Sequence, residues 1–249
     1  MPNNFKFFTF YFFLFLNNHL YPQSILINDF QVNENISWTS HYDPQITMLA
    51  DGSSIIVWYD YKNTNADIFL QRFDKNLNRV GEEVLVNNNA GSSSQEKPDI
   101  DVNRNGGFVT VWMDSRAGND EIYTQIFDSL AHPIGENFSV NEGADDLSEY
   151  SYPSVAVSND GSFVVVWQGR RNNEYGIFTK VFNKNGQSVT DVFRVNDSSS
   201  SSDQYVRPDI GMDDNDNFVV VWEDVLPNIH RYIFAQRFNI LGRNSKIWC

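Results

Sequence analysis

DGSFVVVW at residues 160–167 combines a tight turn with an apolar run that ends in tryptophan, and this stretch decides the fold. Close copies occur as DGSSIIVW at 51–58, NGGFVTVW at 105–112 and DNFVVVW at 216–222. Asp, Asn and Gly tolerate positive φ and favour short hairpins. A strand that is apolar on both faces has to be covered on both sides. We therefore expect four central strands, each packed between two neighbours.

Other residues repeat with the same spacing of about 55 residues. They are the prolines 44, 98, 153 and 208, the tryptophans 58, 112, 167 and 222, and the phenylalanines 73, 127, 182 and 238. A Val-Asn pair recurs at 86–87, 140–141 and 195–196, with an additional copy at 32–33. Each unit holds four strand-like pieces, such as PDIDV, FVTVW, EIYTQIF and ENFSV in the second. Four short strands per unit predict an all-β fold, a β-propeller of four-stranded antiparallel blades.

The repeats divide the chain into a repeat domain at 25–249, preceded by a segment with a different composition. The predicted repeats span 44–97, 98–152, 153–207 and 208–249, and an outer strand is predicted within 25–43. The stretch ILINDFQVN at 25–33 aligns with the fourth strand of a blade, whereas the last repeat ends where its own fourth strand should begin. Two interpretations remain open: a closed four-bladed ring in which the N-terminal strand completes the last blade, or part of a larger propeller.

Residues 1–24 have the pattern of a signal peptide. One charge, Lys6, precedes the apolar run FFTFYFFLFL at 7–16. A run of this length is too short for a membrane-spanning helix, which needs about 20 residues, but suits a signal-peptide core of about 7 to 15. We expect a protein that is secreted, periplasmic or at the cell surface, with no membrane insertion after the signal is removed.

Charge and cysteine content exclude several function classes. The chain has 18 Lys and Arg against 32 Asp and Glu, a net charge of −14, so no basic surface is available for nucleic acid. Cys249 is the single cysteine, which excludes an internal disulfide and a cysteine-rich metal site. The expected partner is an extracellular glycan or protein, and a closed ring would be a monomer.

The repeated motifs carry a family resemblance. The pattern P-x-[IV]-x-V, DG-x-F-V-V-V-W-x-D, D-I-[FY]-x-Q-R-F-[DN] and G-E-x-F-x-V-N resembles the tandem repeat of large secreted bacterial β-propeller proteins, which are mostly uncharacterised. The resemblance covers 25–249 and implies an exported propeller. Three positions depart from it: Gly169 replaces the Asp of W-x-D, and Ile126 and Val181 replace the Arg of Q-R-F.

Known catalytic motifs are absent from the sequence. A sialidase Asp box reads S-x-D-x-G-x-T-W, but Asp160 and Gly161 are adjacent here, so the spacing does not fit. The motifs G-x-S-x-G, HExxH and GxxxxGK[ST] do not occur either.

One turn resembles a calcium loop. Asp101, Asn103 and Asn105 fit D-x-[DN]-x-[DN]-G, in which alternate oxygens converge on the ion. Only one of the four units carries this pattern, so a hairpin turn rich in Asn and Gly is the favoured interpretation. No cofactor is expected otherwise.

Long, variable loops fall on one predicted face of the propeller. Aromatic and arginine side chains there suit stacking on sugars or anchoring a protein. The candidate ligand-binding residues are Trp38, Tyr42, Arg116, Tyr150, Tyr152, Arg170 and Tyr205. The alternative is that the sequences of these loops vary because they bind no ligand.

The sequence therefore predicts an extracellular binding or scaffold module without catalysis of its own. One alternative is a glycan-active enzyme, hydrolase or lyase, that uses unrepeated acids such as Asp145 or Glu149. Another is a structural segment of a larger surface protein.

Overall fold

The computed structural model describes residues 28–34, 39–88, 93–143, 147–172, 174–197, 207–225 and 231–241. The predicted signal peptide, Trp38, Asp145 and Tyr205 lie outside these ranges. The chain divides into two units, 1–31 and 32–249. Residues 28–31 are the described part of the first unit and contain no strand. No helix in the described part of the chain is long and apolar enough to cross a membrane.

The second unit is built from antiparallel sheets that follow one another along the chain. Sheet 1 comprises β1 (His41–Met48), β2 (Ser54–Asn63), β3 (Asn65–Phe73) and β4 (Arg79–Leu85). Sheet 2 comprises β5 (Gln95–Val102), β6 (Phe108–Asp114), β7 (Glu121–Phe127) and β8 (Pro133–Ser139). Sheet 3 comprises β9 (Leu147–Val157), β10 (Phe163–Arg171), β11 (Glu174–Phe182) and β12 (Phe193–Arg194). Sheet 4 comprises β13 (Asp209–Met212), β14 (Asn217–Val225) and β15 (Arg231–Asn239).

The second strand is the buried centre that the sequence predicts in sheets 1, 2 and 3, whereas in sheet 4 Val219 of β14 is 38% exposed. Val57, Val111 and Val166 are completely buried. Three apolar clusters join sheet 1 to sheet 2, sheet 2 to sheet 3, and sheet 3 to sheet 4. The all-β propeller architecture is thus confirmed. Among the described residues, no such cluster joins sheet 4 to sheet 1.

The repeated proline and tryptophan face each other at a β-bulge. In sheet 2, Glu96 pairs with Met113 and Asp99 with Val111, so that Lys97 and Pro98 together lie opposite Trp112. Sheets 1 and 3 have the same irregularity, before Gln45 and before Ser154. Proline suits a bulge because it has no N–H for the ladder. The strands begin three to six residues before the prolines that mark the repeats, at His41, Gln95 and Leu147.

The bulge also explains an unusual backbone conformation. The residues before the prolines, Asp43, Lys97 and Tyr152, have φ of 47°, 53° and 51°. Positive φ is uncommon for residues other than glycine. A bulge bends its strand and redirects side chains, and these three side chains line one cavity.

The repeated Val-Asn pair continues the ladder beyond the fourth strand. In sheet 2, the Val140 N–H donates to Ile122 O at 2.7 Å, and the Ile122 N–H donates to Asn141 Oδ1 at 2.8 Å. Asn87 and Asn196 accept in the same way from Ile68 and Ile177. The amide side chain thus replaces a strand that has ended, which gives this repeated motif a structural role.

The departure at Gly169 has a steric basis. In sheet 2, the Trp112 Nε1–H donates to Asp114 Oδ2 at 2.9 Å. In sheet 3, a Cβ at position 169 would lie 3.1 Å from the ring of Phe178, and the buried Trp167 Nε1 has no hydrogen-bond partner in the described structure. An aspartate at position 169 would therefore require the Phe178 ring to shift by a few tenths of an ångström.

We expect Asn141→Ala to lower the free energy of unfolding by about 1 to 3 kcal/mol, because it leaves the buried Ile122 N–H without an acceptor. Urea denaturation followed by tryptophan fluorescence measures the change. Asn119→Ala, at an exposed position, is the matched control. Equal urea midpoints for Asn141→Ala and Asn119→Ala would contradict the structural role of Asn141.

Candidate functional site

A cavity of about 400 Å³ lies where the first strands of all four sheets meet. Each sheet contributes the residues on either side of its repeated proline. The lining residues are Asp43, Gln45, Lys97, Pro98, Asp99, Tyr152, Pro153, Ser154, Arg207, Pro208 and Asp209. We call this the axial cavity. Its polar side chains differ from sheet to sheet, so a repeated backbone carries an asymmetric set of functional groups.

Two carboxyl groups in the axial cavity are bridged by one hydroxyl. Ser154 Oγ lies 2.8 Å from Asp99 Oδ2 and 3.2 Å from Asp209 Oδ1. The Val155 N–H donates to the same Asp99 oxygen at 2.9 Å. A serine hydroxyl has one proton to donate. If Asp99 is protonated, it can donate to Ser154 Oγ while Ser154 donates to Asp209, and both short contacts become hydrogen bonds.

The electrostatics make that protonated form accessible below about pH 6. Burial raises the pKa of Asp99 to about 6, against the lowering effect of hydrogen bonds from Val155 and Ser154. The negative charge of Asp209 raises the pKa of Asp99 further. A carboxyl group with a pKa near neutrality can serve as a general acid. The arrangement therefore provides a proton donor beside a second carboxyl group.

Cations surround an aromatic ring in the same cavity. Lys97 Nζ lies 4.8 Å from the centre of the Tyr152 ring, and the Arg207 guanidinium carbon lies 5.1 Å from it. Both distances are within the range of cation–π interactions. Lys97 Nζ is also 4.0 Å from Asp43 Oδ2. Two positive side chains from different sheets thus contact the Tyr152 ring in the axial cavity.

A tyrosine cluster begins one residue before Asp43. The exposed Tyr42 ring stacks on Tyr59 at 5.3 Å between centres and meets Tyr61 edge-on at 6.0 Å. The Tyr61 hydroxyl donates to Glu96 Oε1 at 3.2 Å. Burial, together with the negative charge of Glu96, raises the pKa of Tyr59 to about 12. The pKa of Tyr61 is also raised by burial and by Glu96, and the three rings together offer a flat face with polar edges.

A second cavity, of about 760 Å³, lies between sheets 2 and 3 and includes Glu149. Glu149 accepts hydrogen bonds from the Tyr175 hydroxyl and from Arg170, and both lower its pKa. An acid held ionised in this way is a poor proton donor. The candidate acid Glu149 therefore lies outside the axial cavity and is already paired.

The other predicted ligand-binding residues are distributed over several environments. Tyr152 lines the axial cavity, whereas Tyr42 is exposed and lines a smaller pocket with Pro44 and Trp58. Tyr150 is buried in the cluster between sheets 2 and 3, and its hydroxyl donates to Leu147 O. Arg116 pairs with the buried Asp114 and covers the Tyr123 ring. Tyr150 is buried because β9 begins at Leu147, inside the segment that the sequence assigns to a loop.

The side chains of the calcium-like turn accept hydrogen bonds from backbone N–H groups of the protein. Asp101 Oδ2 accepts from the Val157 N–H at 2.7 Å, and Asn103 Oδ1 accepts from the N–H groups of Asn105 and Gly107. Within the described ranges, no group of three His, Cys, Asp or Glu side chains is placed to hold a metal. These contacts are those of a hairpin turn.

Sequence reasoning missed Lys97, Asp99, Ser154 and Asp209. A usable signal was present, because all four adjoin the repeated prolines, the positions that the bulge turns toward the axis. The long, variable loops give a more obvious signal, and the candidate residues predicted from the sequence lie there instead.

No family model matches the chain, and no curated protein does. Its resemblance to the bacterial repeat proteins therefore remains a prediction. Solved structures do match. The chain is 12% identical to a Hadza microbial sialidase, with a TM-score of 0.55 over 82% of this chain and 45% of the sialidase. It thus spans less than half of that protein.

Two other solved structures match a similar share of this chain and a larger share of their own length. An endo-arabinase from Bacteroides thetaiotaomicron VPI-5482 is 16% identical, with a TM-score of 0.51 over 80% of this chain and 77% of the enzyme. A family 117 glycoside hydrolase from the marine bacterium Zobellia galactanivorans is 12% identical, with a TM-score of 0.51 over 87% and 72%. At such low identity, these matches establish a shared propeller fold.

We expect Asp99→Asn to stabilise the protein above pH 7. Native Asp99 keeps its proton up to about pH 6, whereas the unfolded chain loses it near pH 4, so the free energy of unfolding falls as the pH rises between these values. Asparagine avoids that loss, which amounts to about 3 kcal/mol at most.

Thermal unfolding at pH 4 and pH 8 checks the prediction. The variant should melt above the wild type at pH 8, and the gap should nearly vanish at pH 4. Glu82→Gln, which makes the same charge change at an exposed position, should show neither effect. A pH-independent difference for Asp99→Asn would disprove the assignment of a raised pKa.

Proposed function

We propose that this protein is a glycan-active hydrolase whose active site is the axial cavity. The observation that carries the proposal is the pair Asp99 and Asp209, bridged by Ser154, with the pKa of one member raised. Glycoside hydrolysis uses two carboxyl groups whose environments separate their pKa values. We therefore prefer the glycan-active alternative to the binding module that the sequence analysis favours. The sequence did not reveal the carboxyl pair, because its members come together only when sheets 2, 3 and 4 pack.

The two carboxyl groups have distinct roles in this proposal. Asp99 is the general acid, which gives its proton to the glycosidic oxygen as the bond between that oxygen and the anomeric carbon breaks. Water then forms the new bond to the anomeric carbon, and the proton that it releases returns Asp99 to the protonated form. Asp209 is the carboxylate that stabilises the positive charge developing on the sugar ring. Ser154 is a positioning residue that holds both side chains.

The charges in the axial cavity favour an acidic sugar. Lys97 and Arg207 reach the cavity from sheets 2 and 4, and a guanidinium group matches the planar geometry of a carboxylate. The Tyr152 ring, which lines the same cavity, offers a flat surface for the sugar itself. Polysaccharides that contain uronic or other carboxylated sugars are therefore the proposed substrate class.

Carbohydrate-acting enzymes share the propeller fold of this chain, which shows that the fold can carry such an active site. Because one fold hosts many activities, the argument depends on the carboxyl pair and not on the likeness. We further propose that the protein acts outside the cytoplasm, on account of the signal-peptide pattern at residues 1–24, which lies outside the described structure.

The activity is tested by incubating the protein with a panel of neutral and acidic polysaccharides and measuring new reducing ends. We expect Asp99→Asn and Asp209→Asn each to reduce kcat at least 100-fold, because general acid catalysis contributes about 10² to 10⁴. Glu149→Gln is the matched control and should leave the rate within a factor of two. Activity lost in Glu149→Gln and retained in Asp99→Asn would move the site to the second cavity. An unsaturated product would indicate a lyase.

Arg207→Gln is expected to raise KM for acidic polysaccharides about 10-fold, because it removes one of the two cations that would face the sugar carboxylate. The value of kcat should change little. For neutral substrates KM should be unaffected, and added salt should weaken wild-type binding of acidic ones. An equal effect on both substrate classes would contradict charge recognition.

A binding module without turnover is the second candidate, and the exposed tyrosine cluster favours it. Under this alternative, a polysaccharide binds to the wild type and to Asp99→Asn with the same affinity, no reducing ends appear, and Tyr42→Ala abolishes binding. Calorimetry with the substrates of the panel separates the two candidates.

A further inference from the structure

The two carboxyl groups of the axial cavity lie close together. Asp99 Oδ2 and Asp209 Oδ1 both contact Ser154 Oγ, at 2.8 Å and 3.2 Å, so they are at most about 6 Å apart. In glycoside hydrolases that retain the anomeric configuration, the carboxyl groups are about 5 to 5.5 Å apart, whereas inverting enzymes have a separation of about 6.5 to 9.5 Å. The wider gap accommodates a water molecule beside the sugar. The spacing of Asp99 and Asp209 therefore matches a retaining enzyme.

Asp209 has one oxygen that is held in place and one that is open. Its Oδ1 accepts the Ile210 N–H at 2.9 Å and also contacts Ser154. Among the residues that the structure describes, none donates a hydrogen bond to Asp209 Oδ2, and Asp209 is exposed where it lines the axial cavity. A carboxylate attacks carbon through a lone pair of oxygen. Asp209 Oδ2 keeps its lone pairs available for such an attack.

Asp99 is more enclosed than Asp209. Its Oδ2 accepts the Val155 N–H at 2.9 Å and also contacts Ser154, which is only 6% exposed. Ser154 therefore forms the floor between the two carboxyl groups, and a sugar can reach both of them from the open side of the axial cavity. Enclosure favours the neutral form of a carboxyl group, so Asp99 suits proton transfer better than attack on carbon.

We propose that hydrolysis proceeds with retention of the anomeric configuration, through a covalent bond between Asp209 Oδ2 and the anomeric carbon. This inference rests on the proposed function and adds a nucleophile to it. The reaction then has two displacements at the same carbon. Because each displacement inverts that carbon, two of them restore its original configuration.

Each displacement balances its protons and electron pairs. In the first, Asp209 Oδ2 bonds to the anomeric carbon, the bond from that carbon to the glycosidic oxygen breaks, and this oxygen takes the proton of Asp99. In the second, water bonds to the anomeric carbon and gives one proton to the Asp99 carboxylate. The ester bond breaks, and its electron pair returns to Asp209.

The configuration of the first product tests the proposal on the wild type. The probes are the acidic polysaccharides of the activity panel, including polygalacturonate, which is α-linked, and hyaluronan, which is β-linked. Proton NMR in the first minutes, before mutarotation, should show new reducing ends with the configuration of the linkage that was cleaved. Inverted ends would overturn this proposal and leave the proposed function standing. If no polysaccharide is cleaved, both fall together.

Azide tests whether Asp209 is the nucleophile. In Asp209→Ala, azide can enter the space of the missing carboxylate and attack the anomeric carbon from the same face. We expect added sodium azide to raise the rate of this variant at least 10-fold. The products should be glycosyl azides whose configuration is opposite to that of the wild-type product, because only one displacement takes place.

Glu149→Ala, which removes an acid outside the axial cavity, is the matched control. Azide should neither raise its rate nor enter its product. Asp209→Ala should fold, since Asp209 is exposed, and thermal unfolding checks this. A folded Asp209→Ala that azide does not reactivate would place the nucleophile elsewhere and overturn the proposal. The NMR result on the wild type decides the question of retention independently of any variant.

Discussion

The central strand of each sheet has apolar side chains on both faces, and the other features of the fold follow from the need to cover both. A buried Val, Ile or Phe contributes about 1.5 to 3 kcal/mol, so one uncovered face of such a sheet forfeits a large share of the stability of a domain. A sheet covered on both sides needs two neighbouring sheets. Sheets that stack in this way with a constant twist arrange themselves around an axis, where their first strands meet.

The bulge at the repeated proline turns this packing scheme into a site. Residues held at positive φ cost about 1 to 3 kcal/mol each when they are not glycine, and the burial of Trp58, Trp112 and Trp167 opposite the bulges offsets that cost. At the bulge, the residues that stabilise the blade differ from the residues that line the cavity. The proline and tryptophan maintain the blade and therefore repeat, whereas the residues beside the proline face a cavity and are free to differ. An acid, a cation and a tyrosine can thus occupy equivalent positions.

The fold could be predicted from the sequence because its determinants are local and repeated four times. The turn, the apolar run and the tryptophan lie within eight residues, and each further copy of this pattern supports the prediction of a propeller blade. The axial site could not be predicted in the same way. Asp99 and Asp209 come from different repeats, and their relation appears only when Ser154 is placed between them. Tyr150 is a different case: β9 extends into a segment whose composition resembles a loop, so this aromatic residue, expected on a variable loop, lies in the apolar cluster between sheets 2 and 3.

The raised pKa of Asp99 and the width of the axial cavity depend on different contacts. Asp99 owes its raised pKa to burial between sheets 2 and 3, which share a continuous apolar cluster, and to the nearby charge of Asp209. Asp43 and Gln45 line the same cavity from sheet 1, but no apolar cluster of the described residues joins sheet 1 to sheet 4, which carries Asp209. The pKa of Asp99 is therefore set by sheets that pack directly on each other, whereas the width of the cavity depends on how far sheets 1 and 4 stand apart.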